Sequence, residues 1–327
     1  MRKRSSIFNS RLFGSALIWA VMAVVLIERH AQIDLPARLA SHEVDQMLYD
    51  LDHGRIPNGE TLFLGDSVGR QIAHAILRGK RDAFVPLASN AAIETPGQYY
   101  ILQRYLEHHP APKRVILMMG NPVEGQLNGN YTENYVQRCF LRWREIEELA
   151  WARHSLSFGI VMAGYKLFPT FRYRLNLQKA IPLLETPNPY FGWLDMPTQS
   201  GTPKLTTKHG LLDVINAWIE NRCLSPQIAS IYFRRLANFL EVRGIEWVYL
   251  PIPAPESASR MVQPDGFYGH QVQCVRDLSR MFPLMKIHDR FLTYPDTWFR
   301  DGSHLHEKNL PVVAEEYARI LTSLRFP

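Results

Sequence analysis

The stretch Thr61–Arg70, TLFLGDSVGR, decides the fold that we predict for this chain. A short apolar run, Leu62–Leu64, ends abruptly at Gly65, and residues that permit a helix follow over Val68–Arg78. This pattern predicts a strand, a tight turn and a helix. Ser67 lies in the turn, at the carboxyl end of a strand, which is where open α/β sheets bind their ligands. Negative charge is also stabilised there, because the helix begins at that point.

Ser67 is a candidate nucleophile, but a serine hydroxyl reacts slowly without a base. The best candidate base lies far downstream in Trp298–Leu305, WFRDGSHL, where Asp301 precedes His304 by three residues. A Gly-Asp-Ser triplet alone is also typical of a helix N-cap, since Asp and Ser are good caps. A purely structural Asp–His pair is the alternative for Asp301 and His304. The three residues together favour a Ser-His-Asp triad.

Composition limits the classes of protein that the chain can belong to. Its 327 residues allow one large domain, or one domain with an insertion, and 46% hydrophobic content is enough for a core without disulfide bonds. The chain has three cysteines, and their spacing is not that of a metal site: Cys139, Cys223 and Cys274. One disulfide with one free thiol is possible, and the sequence alone does not decide whether it forms. The net charge of +6 is modest and not gathered in a tail. We therefore expect no nucleic acid partner, no metal and no cofactor.

The N-terminus has the pattern of a membrane-targeting segment. Basic residues within 1–11 precede the uncharged apolar run Leu12–Ile27, which Glu28 and Arg29 end. We predict an uncleaved signal anchor over 12–28, because no convincing cleavage site for a signal peptide, the alternative, follows the run. The positive-inside rule places 1–11 in the cytoplasm and the rest of the chain outside the inner membrane.

Beyond a juxtamembrane helix and linker at 29–60, strands alternate with helices. The predicted strands are Thr61–Gly65, Ala83–Ser89, Arg114–Met119, Ile245–Leu250 and Met285–His288. The predicted helices are Val68–Arg78, Pro96–His108, Ser225–Arg243, Phe267–Met281 and His306–Leu321. This alternation predicts an α/β fold with a mostly parallel sheet covered on both faces. The domain would comprise 61–122 and 223–327.

Residues 123–222 interrupt the alternation and predict a mainly helical insertion or cap. The apolar segment His154–Phe168 is too short for a second membrane span and suits a buried or interfacial helix better. The insertion also carries basic residues that either face anionic headgroups or form a solvated helix face: Arg138, Arg142, Arg144, Arg153, Arg172, Arg174 and Lys179.

The chain resembles the SGNH, or GDSL-type, hydrolase superfamily over Thr61–Met119 and Ser225–Leu321. Gly65-Asp66-Ser67 matches the first block of the family, and Asp301-Gly302-Ser303-His304 matches the last. Asn90-Ala91-Ala92 stands at the second block, with Ala92 where Gly is usual. Met119-Gly120-Asn121-Pro122 stands at the third, where the family has Gly-x-Asn-Asp.

The resemblance implies a three-layer α/β/α fold with a flavodoxin-like sheet, and a role for each matching residue. Ser67 would be the nucleophile, His304 the base and Asp301 its orienting partner. The N–H groups of Ser67 and Ala92 and the amide of Asn121 would form the oxyanion hole. Asp66, Asn90 and Trp298 would contact the substrate.

Within this superfamily, the chain is most similar to membrane-anchored proteins of cell-envelope O-acylation, such as those of alginate O-acetylation and of teichoic acid D-alanine transfer. The resemblance implies a single-pass protein of the bacterial inner membrane that faces the periplasm. It would act beside a membrane-bound O-acyltransferase and move a small acyl group to an envelope polysaccharide or glycolipid. An envelope esterase and an inactive scaffold are the alternatives.

Overall fold

The computed structural model describes residues 14–29, 43–77, 84–89, 93–120, 132–173, 228–260, 262–263, 266–301 and 303–325. The predicted residues Asn90, Ala92, Asn121 and Cys223 lie outside these ranges.

A parallel sheet forms the centre of the molecule. The strands are β1 Thr61–Gly65, β2 Phe84–Pro86, β3 Arg114–Met118, β4 Glu246–Leu250, β5 Ala254–Pro255, β6 Met285–Ile287 and β7 Thr293–Tyr294. Five of them form one sheet in the order β2-β1-β3-β4-β6, with every neighbouring pair parallel. The prediction of an α/β fold with a mostly parallel sheet is confirmed. β5 and β7 pair in a separate two-stranded sheet.

Helices surround this sheet. They are α1 at 14–29, α2 Glu43–Asp52, α3 Ser67–Ile76, α4 Glu94–His108, α5 Trp143–Ala152, α6 Leu156–Leu167, α7 Pro169–Arg172, α8 Ile228–Val242, α9 Phe267–Ser279 and α10 Leu310–Ser323. A π-helical turn, Thr132–Gln137, precedes α5. The part of the insertion at 132–173 is thus largely helical, as predicted.

The sheet is buried on both faces. Successive residues of a strand point to opposite faces, so the apolar residues of one strand contribute to two core clusters. Leu62 and Leu64 of β1 join one core cluster with residues of α2, α4, α8 and α9. Phe63, between them, joins a second cluster with residues of α3 and α10. Fully buried rings fill the first cluster, among them Trp247 of β4. Helices therefore cover both faces of the sheet.

A network of ion pairs joins the insertion to this domain. The buried Arg104 guanidinium lies 2.9 Å from Asp52 of α2 and 2.8 Å from Glu145 of α5. Arg142, just before α5, contacts the same Asp52 at 2.7 Å. A polar cavity of about 230 Å³ opens beside this network. The residues that line the cavity include Glu107, near the C-terminal end of α4.

Helix α1 is apolar and exposed along almost all of its length. Across the described residues, no helix has both the length and the apolar character that a membrane crossing requires. Near the end of α1, Glu28 accepts hydrogen bonds from the backbone N–H of Thr170, at 2.9 Å, and from its hydroxyl. Of the described cysteines, Cys274 is disulfide-bonded and Cys139 is free and buried, and burial raises the pKa of the Cys139 thiol.

Candidate active site

The turn that carries Ser67 lies directly against the end of β3. Gly65 has φ of +155°, and a Cβ there would come within 2.0 Å of the Met118 carbonyl oxygen. Gly69, one helical turn on, would bring a Cβ to 2.3 Å from the same oxygen. Only glycine lets the chain approach β3 this closely. The two glycines therefore fix the position of Ser67, the first residue of α3.

A buried glutamine holds the same turn from the other side. Gln98 of α4 is 1% exposed. Its side-chain oxygen accepts from the Gly65 N–H at 3.0 Å, and its side-chain nitrogen donates to the Gly65 carbonyl at 2.8 Å. The Ser89 N–H donates to that carbonyl as well, at 3.1 Å. Both polar groups of the Gly65 backbone are thus satisfied where water is excluded.

Asp66 caps the helix that Ser67 begins. Its Oδ1 accepts from the N–H groups of Val68 and Gly69, both at 3.0 Å, and its backbone carbonyl accepts from Arg70. Three of the four first-turn N–H groups of α3 therefore bond to Asp66. The fourth belongs to Ser67, and it is the group that the resemblance places in an oxyanion hole.

The second carboxylate oxygen of Asp66 reaches the next strand end, where Oδ2 accepts from the Gly120 N–H at 3.0 Å. Burial raises the pKa of Asp66, against the opposing effect of its bonds to the Gly69, Gly120 and Val68 N–H groups. Asp66 thus ties the Ser67 turn to the residue that precedes Asn121. These bonds describe a positioning residue, and the predicted contact of Asp66 with substrate stays a prediction.

The loop that carries His304 closes on itself through backbone hydrogen bonds. Phe299 and Leu305 form an antiparallel bridge, and the Arg300 N–H donates to the His304 carbonyl at 2.8 Å. The Leu305 N–H also donates to the side-chain oxygen of Gln71 on α3, at 3.3 Å. This bond connects the loop to the helix that begins with the candidate nucleophile.

Ser67, His304 and Asp301 form one hydrogen-bonded chain. The Ser67 Oγ lies 2.8 Å from His304 Nε2, and His304 Nδ1 lies 2.9 Å from Asp301 Oδ2 and 3.0 Å from Oδ1. Because a carboxylate only accepts, the proton of a neutral imidazole belongs on Nδ1. Nε2 then accepts from the Ser67 hydroxyl, which is the arrangement that a general base requires.

The Asp301 carboxylate is held mainly by its own loop. Its Oδ1 accepts from the His304 N–H at 2.7 Å and from the Ser303 N–H at 3.0 Å. Burial acts to raise the pKa of Asp301, but these bonds and that from the His304 imidazole outweigh it and hold the pKa well below its usual value. An ionised Asp301 stabilises an imidazolium, so this environment suits a histidine that gains a proton.

Trp298 packs against the core cluster that contains Phe63. Its ring stacks on Tyr294 with centroids 5.0 Å apart, and the Tyr294 hydroxyl donates to Glu316 of α10 at 2.7 Å. The structure thus gives Trp298 a packing partner, and its predicted contact with substrate stays a prediction. The roles predicted for Asn90, Ala92 and Asn121 fall on residues outside the described ranges.

Sequence reasoning missed Gln98 and Gln71. Each acts through a contact between residues far apart in the sequence, and each lies within an otherwise ordinary helix. The close approach of Gly69 to β3 was missed as well, although a glycine near the start of a helix was a visible signal. Among the described residues, no cluster of His, Cys, Asp and Glu is able to hold a metal ion.

A scan of the chain against protein-family models finds no matching family, and a search among curated protein sequences finds no match.

Proposed function

We propose that this chain is an SGNH-type, serine-dependent O-acyltransferase that works on the outer side of the bacterial inner membrane. It would move a small, acetyl-like acyl group to a cell-envelope glycan through an acyl-Ser67 intermediate. The observation that carries the proposal is the hydrogen-bonded chain Ser67–His304–Asp301, with Ser67 at the start of a helix. It unites the two sequence blocks on which the resemblance rests.

The first half of the reaction loads the serine. As the Ser67 Oγ attacks the carbonyl carbon of the acyl donor, His304 Nε2 takes the hydroxyl proton. The carbonyl oxygen becomes an oxyanion, which the Ser67 N–H at the start of α3 is positioned to stabilise. When the intermediate collapses, the bond to the leaving group breaks and His304 returns the proton to that group. The acyl group is then esterified to Ser67.

The second half transfers the acyl group. A glycan hydroxyl gives its proton to His304 Nε2 and attacks the acyl carbon. Collapse of the second tetrahedral intermediate breaks the bond to Ser67 Oγ, and the proton returns to that oxygen. Asp301, ionised because its pKa is depressed, stabilises the imidazolium in both halves. Water in place of the glycan would give an esterase with the same residues.

Two observations support the location outside the cytoplasm. The apolar run Leu12–Ile27 follows a basic N-terminal segment, and the part of it in α1 is exposed. Cys274 is disulfide-bonded, and disulfides persist in oxidising compartments such as the periplasm. A reporter fused after Pro327 should be active only outside the cytoplasm. Activity inside the cytoplasm would overturn the envelope function.

The chemical proposal is tested by trapping the intermediate. The purified full chain, treated with an activated acetyl ester, should gain one acetyl group, and peptide mapping should place it on Ser67. Ser67→Ala should abolish the adduct while its circular dichroism stays that of the parent. An adduct that survives Ser67→Ala would refute the assignment of the nucleophile. If the wild type forms no adduct with any acyl donor, the scaffold alternative is favoured.

Transferase and esterase are separated by what discharges the adduct. Isolated acetyl-Ser67 protein should be stable in buffer and lose its acetyl group faster when an envelope polysaccharide is added, with the acetyl group recovered on the glycan. Release of free acetate at a rate that the glycan does not change would favour the esterase.

A further inference from the structure

Helix α6 carries apolar residues on its buried side and also on its exposed side. Phe158, Met162 and Tyr165 are buried against the rest of the insertion. On the opposite side Leu156 is 80% exposed and Ile160 is 62% exposed. A surface helix normally places charged and polar residues on its outer side. The outer side of α6 therefore exposes large apolar side chains that no described part of the chain covers.

Further exposed apolar side chains follow at the end of α6 and in α7. Leu167 is 51% exposed, and Phe168 and Phe171 are each 46% exposed. We call Leu156, Ile160, Val161, Leu167, Phe168 and Phe171 the apolar face. Isolated apolar residues on a surface are ordinary, but several large exposed apolar side chains within one short segment indicate an interaction site.

The segment that carries the apolar face has only positive charges of its own, and one of them, Arg172, is paired with Asp45 of α2. Residues 156–173, LSFGIVMAGYKLFPTFRY, contain Lys166 and Arg172 and no acidic residue. The Lys166 ammonium lies 5.1 Å from the ring centre of Trp143, which is 55% exposed. A cation beside an exposed tryptophan at the edge of an apolar surface is typical of helices that lie in a membrane interface.

The position of α1 indicates what contacts the apolar face. The bonds between Glu28 and Thr170 join the end of α1 to α7, within the apolar face. α1 carries its own exposed apolar side chains, such as Trp19 at 69% and Leu26 at 64%. Two apolar surfaces that the described residues leave exposed, and that are joined by the Glu28–Thr170 contact, are suited to the same apolar surroundings.

We propose that the apolar face docks on the lipid bilayer, with Leu156, Ile160, Leu167, Phe168 and Phe171 at the boundary between headgroups and acyl chains, and with Lys166 and the Glu28–Thr170 contact at the headgroups. The insertion then lies flat on the membrane as an interfacial helix pair, and the domain has one fixed orientation relative to the bilayer. The proposal does not depend on the chemistry of Ser67.

The test places a fluorescent probe on the apolar face of the full chain in vesicles. Ile160→Cys is labelled with an environment-sensitive dye; the native Cys139 is buried and Cys274 is disulfide-bonded. Val312→Cys is the matched control, because Val312 is 52% exposed on α10, which covers the other face of the sheet. The vesicles consist of phosphatidylethanolamine and phosphatidylglycerol, with or without nitroxide-labelled acyl chains.

The probe at residue 160 should show blue-shifted emission and lose most of its intensity to the lipid nitroxides, whereas the probe at 312 should show neither change. Equal quenching at the two positions would overturn the proposal. A blue shift at 160 without quenching would also overturn it, because a second copy or another protein would then cover the face.

Charge substitutions give an independent check. Leu167→Glu together with Phe171→Glu should reduce the quenching at 160, because a carboxylate is costly among acyl chains. Val312→Glu should leave it unchanged. Unaltered quenching in the double variant would contradict the proposal, and circular dichroism shows that the variants fold. None of these measurements involves acyl-Ser67, so the proposal and the enzymatic function can fail separately.

Discussion

The turn after β1 and the loop Phe299–Leu305 supply the two halves of the candidate site by different physical means. The turn is fixed by steric contact: glycines at 65 and 69 lie against the Met118 carbonyl, and the buried Gln98 holds the backbone. The loop is more open to solvent, with 46% of the Asp301 side chain exposed, and is fixed by hydrogen bonds to that carboxylate. The turn therefore depends on close backbone packing and on buried hydrogen bonds, while the loop depends on hydrogen bonds to a partly exposed carboxylate.

The aspartates of the turn and of the loop, Asp66 and Asp301, also differ in the direction of their pKa shifts. Burial raises the pKa of Asp66, which serves the backbone at the start of α3 and at Gly120. The loop lowers the pKa of Asp301, which serves His304. Substitutions of Asp301 and His304 should thus affect chemistry more than stability, and substitutions of the turn residues that position Ser67 should do the reverse.

The largest effect is expected from His304→Ala. Removal of the base from a serine triad costs about 10⁴- to 10⁶-fold in rate, so acylation of Ser67 by an activated ester should fall by this order. Stopped-flow or mass-spectrometric measurement of the acylation rate checks it. His306→Ala, two residues away, is the matched control and should keep the rate of the parent. A loss of less than about tenfold for His304→Ala would remove it from the mechanism.

Asp301→Asn should follow, with a loss of about 10⁴-fold in the acylation rate. Asparagine fills the same space but donates as well as accepts, so the imidazole is free to turn or to adopt the wrong tautomer. Asp296→Asn is the control, since Asp296 is an exposed residue of the same segment that bonds to the Ser257 N–H. Equal rates for the two variants would mean that Asp301 only closes the loop.

The turn is probed by Gly69→Ala, paired with Gly164→Ala. Both glycines lie in helices, but a Cβ at 69 would come within 2.3 Å of the Met118 carbonyl oxygen, and a Cβ at 164 meets no atom within 4 Å. We expect Gly69→Ala to lower the free energy of unfolding by about 1–3 kcal/mol. Gly164→Ala should raise it by about 0.5–1 kcal/mol. Denaturant titration in detergent measures both, and similar values would show that the turn yields easily.

Local pattern was enough to predict the five strands of the main sheet and the proximity of Ser67 to His304. Apolar runs such as Arg114–Met119 identify buried strands, and parallel strands bring their carboxyl ends to one edge. Boundaries were less accurate where distant contacts decide them. The last helix was predicted from His306 but begins at Leu310, because His306 has an extended backbone and its N–H donates to the Trp298 carbonyl.

The supports of the site depend on contacts that have no sequence signal. Gln98 lies 33 positions from Gly65, and Gln71 lies 234 positions from Leu305. In isolation each is a polar residue in a helix, where an exposed position would be the ordinary expectation. Only the folded arrangement of α4 beside β1, and of the loop beside α3, gives these side chains their partners.

The smallest effect, and the most direct test of the difference between the two aspartates, is the pH dependence of stability. The pKa of Asp301 is lower in the folded state than in the unfolded chain. Between these two pKa values the folded protein therefore binds fewer protons than the unfolded chain. The stabilisation is therefore present above the unfolded pKa of about 4 and is lost as the pH falls through the folded pKa. For Asp66, whose folded pKa is raised, the sign is opposite: its contribution is lost as the pH rises above about 4.

Denaturant unfolding of the wild type, Asp301→Asn and Asp66→Asn between about pH 3 and pH 7 isolates the two contributions, since other carboxyls cancel in the differences. The advantage of the wild type over Asp301→Asn should grow as the pH rises. The difference in free energy of unfolding between the wild type and Asp66→Asn should shrink as the pH rises. Loss of the bond to the Gly120 N–H adds a constant to this difference and does not change its slope. Slopes of the same sign would show that the carboxylates of the turn and the loop share one kind of environment, and the contrast between the two halves of the site would fail.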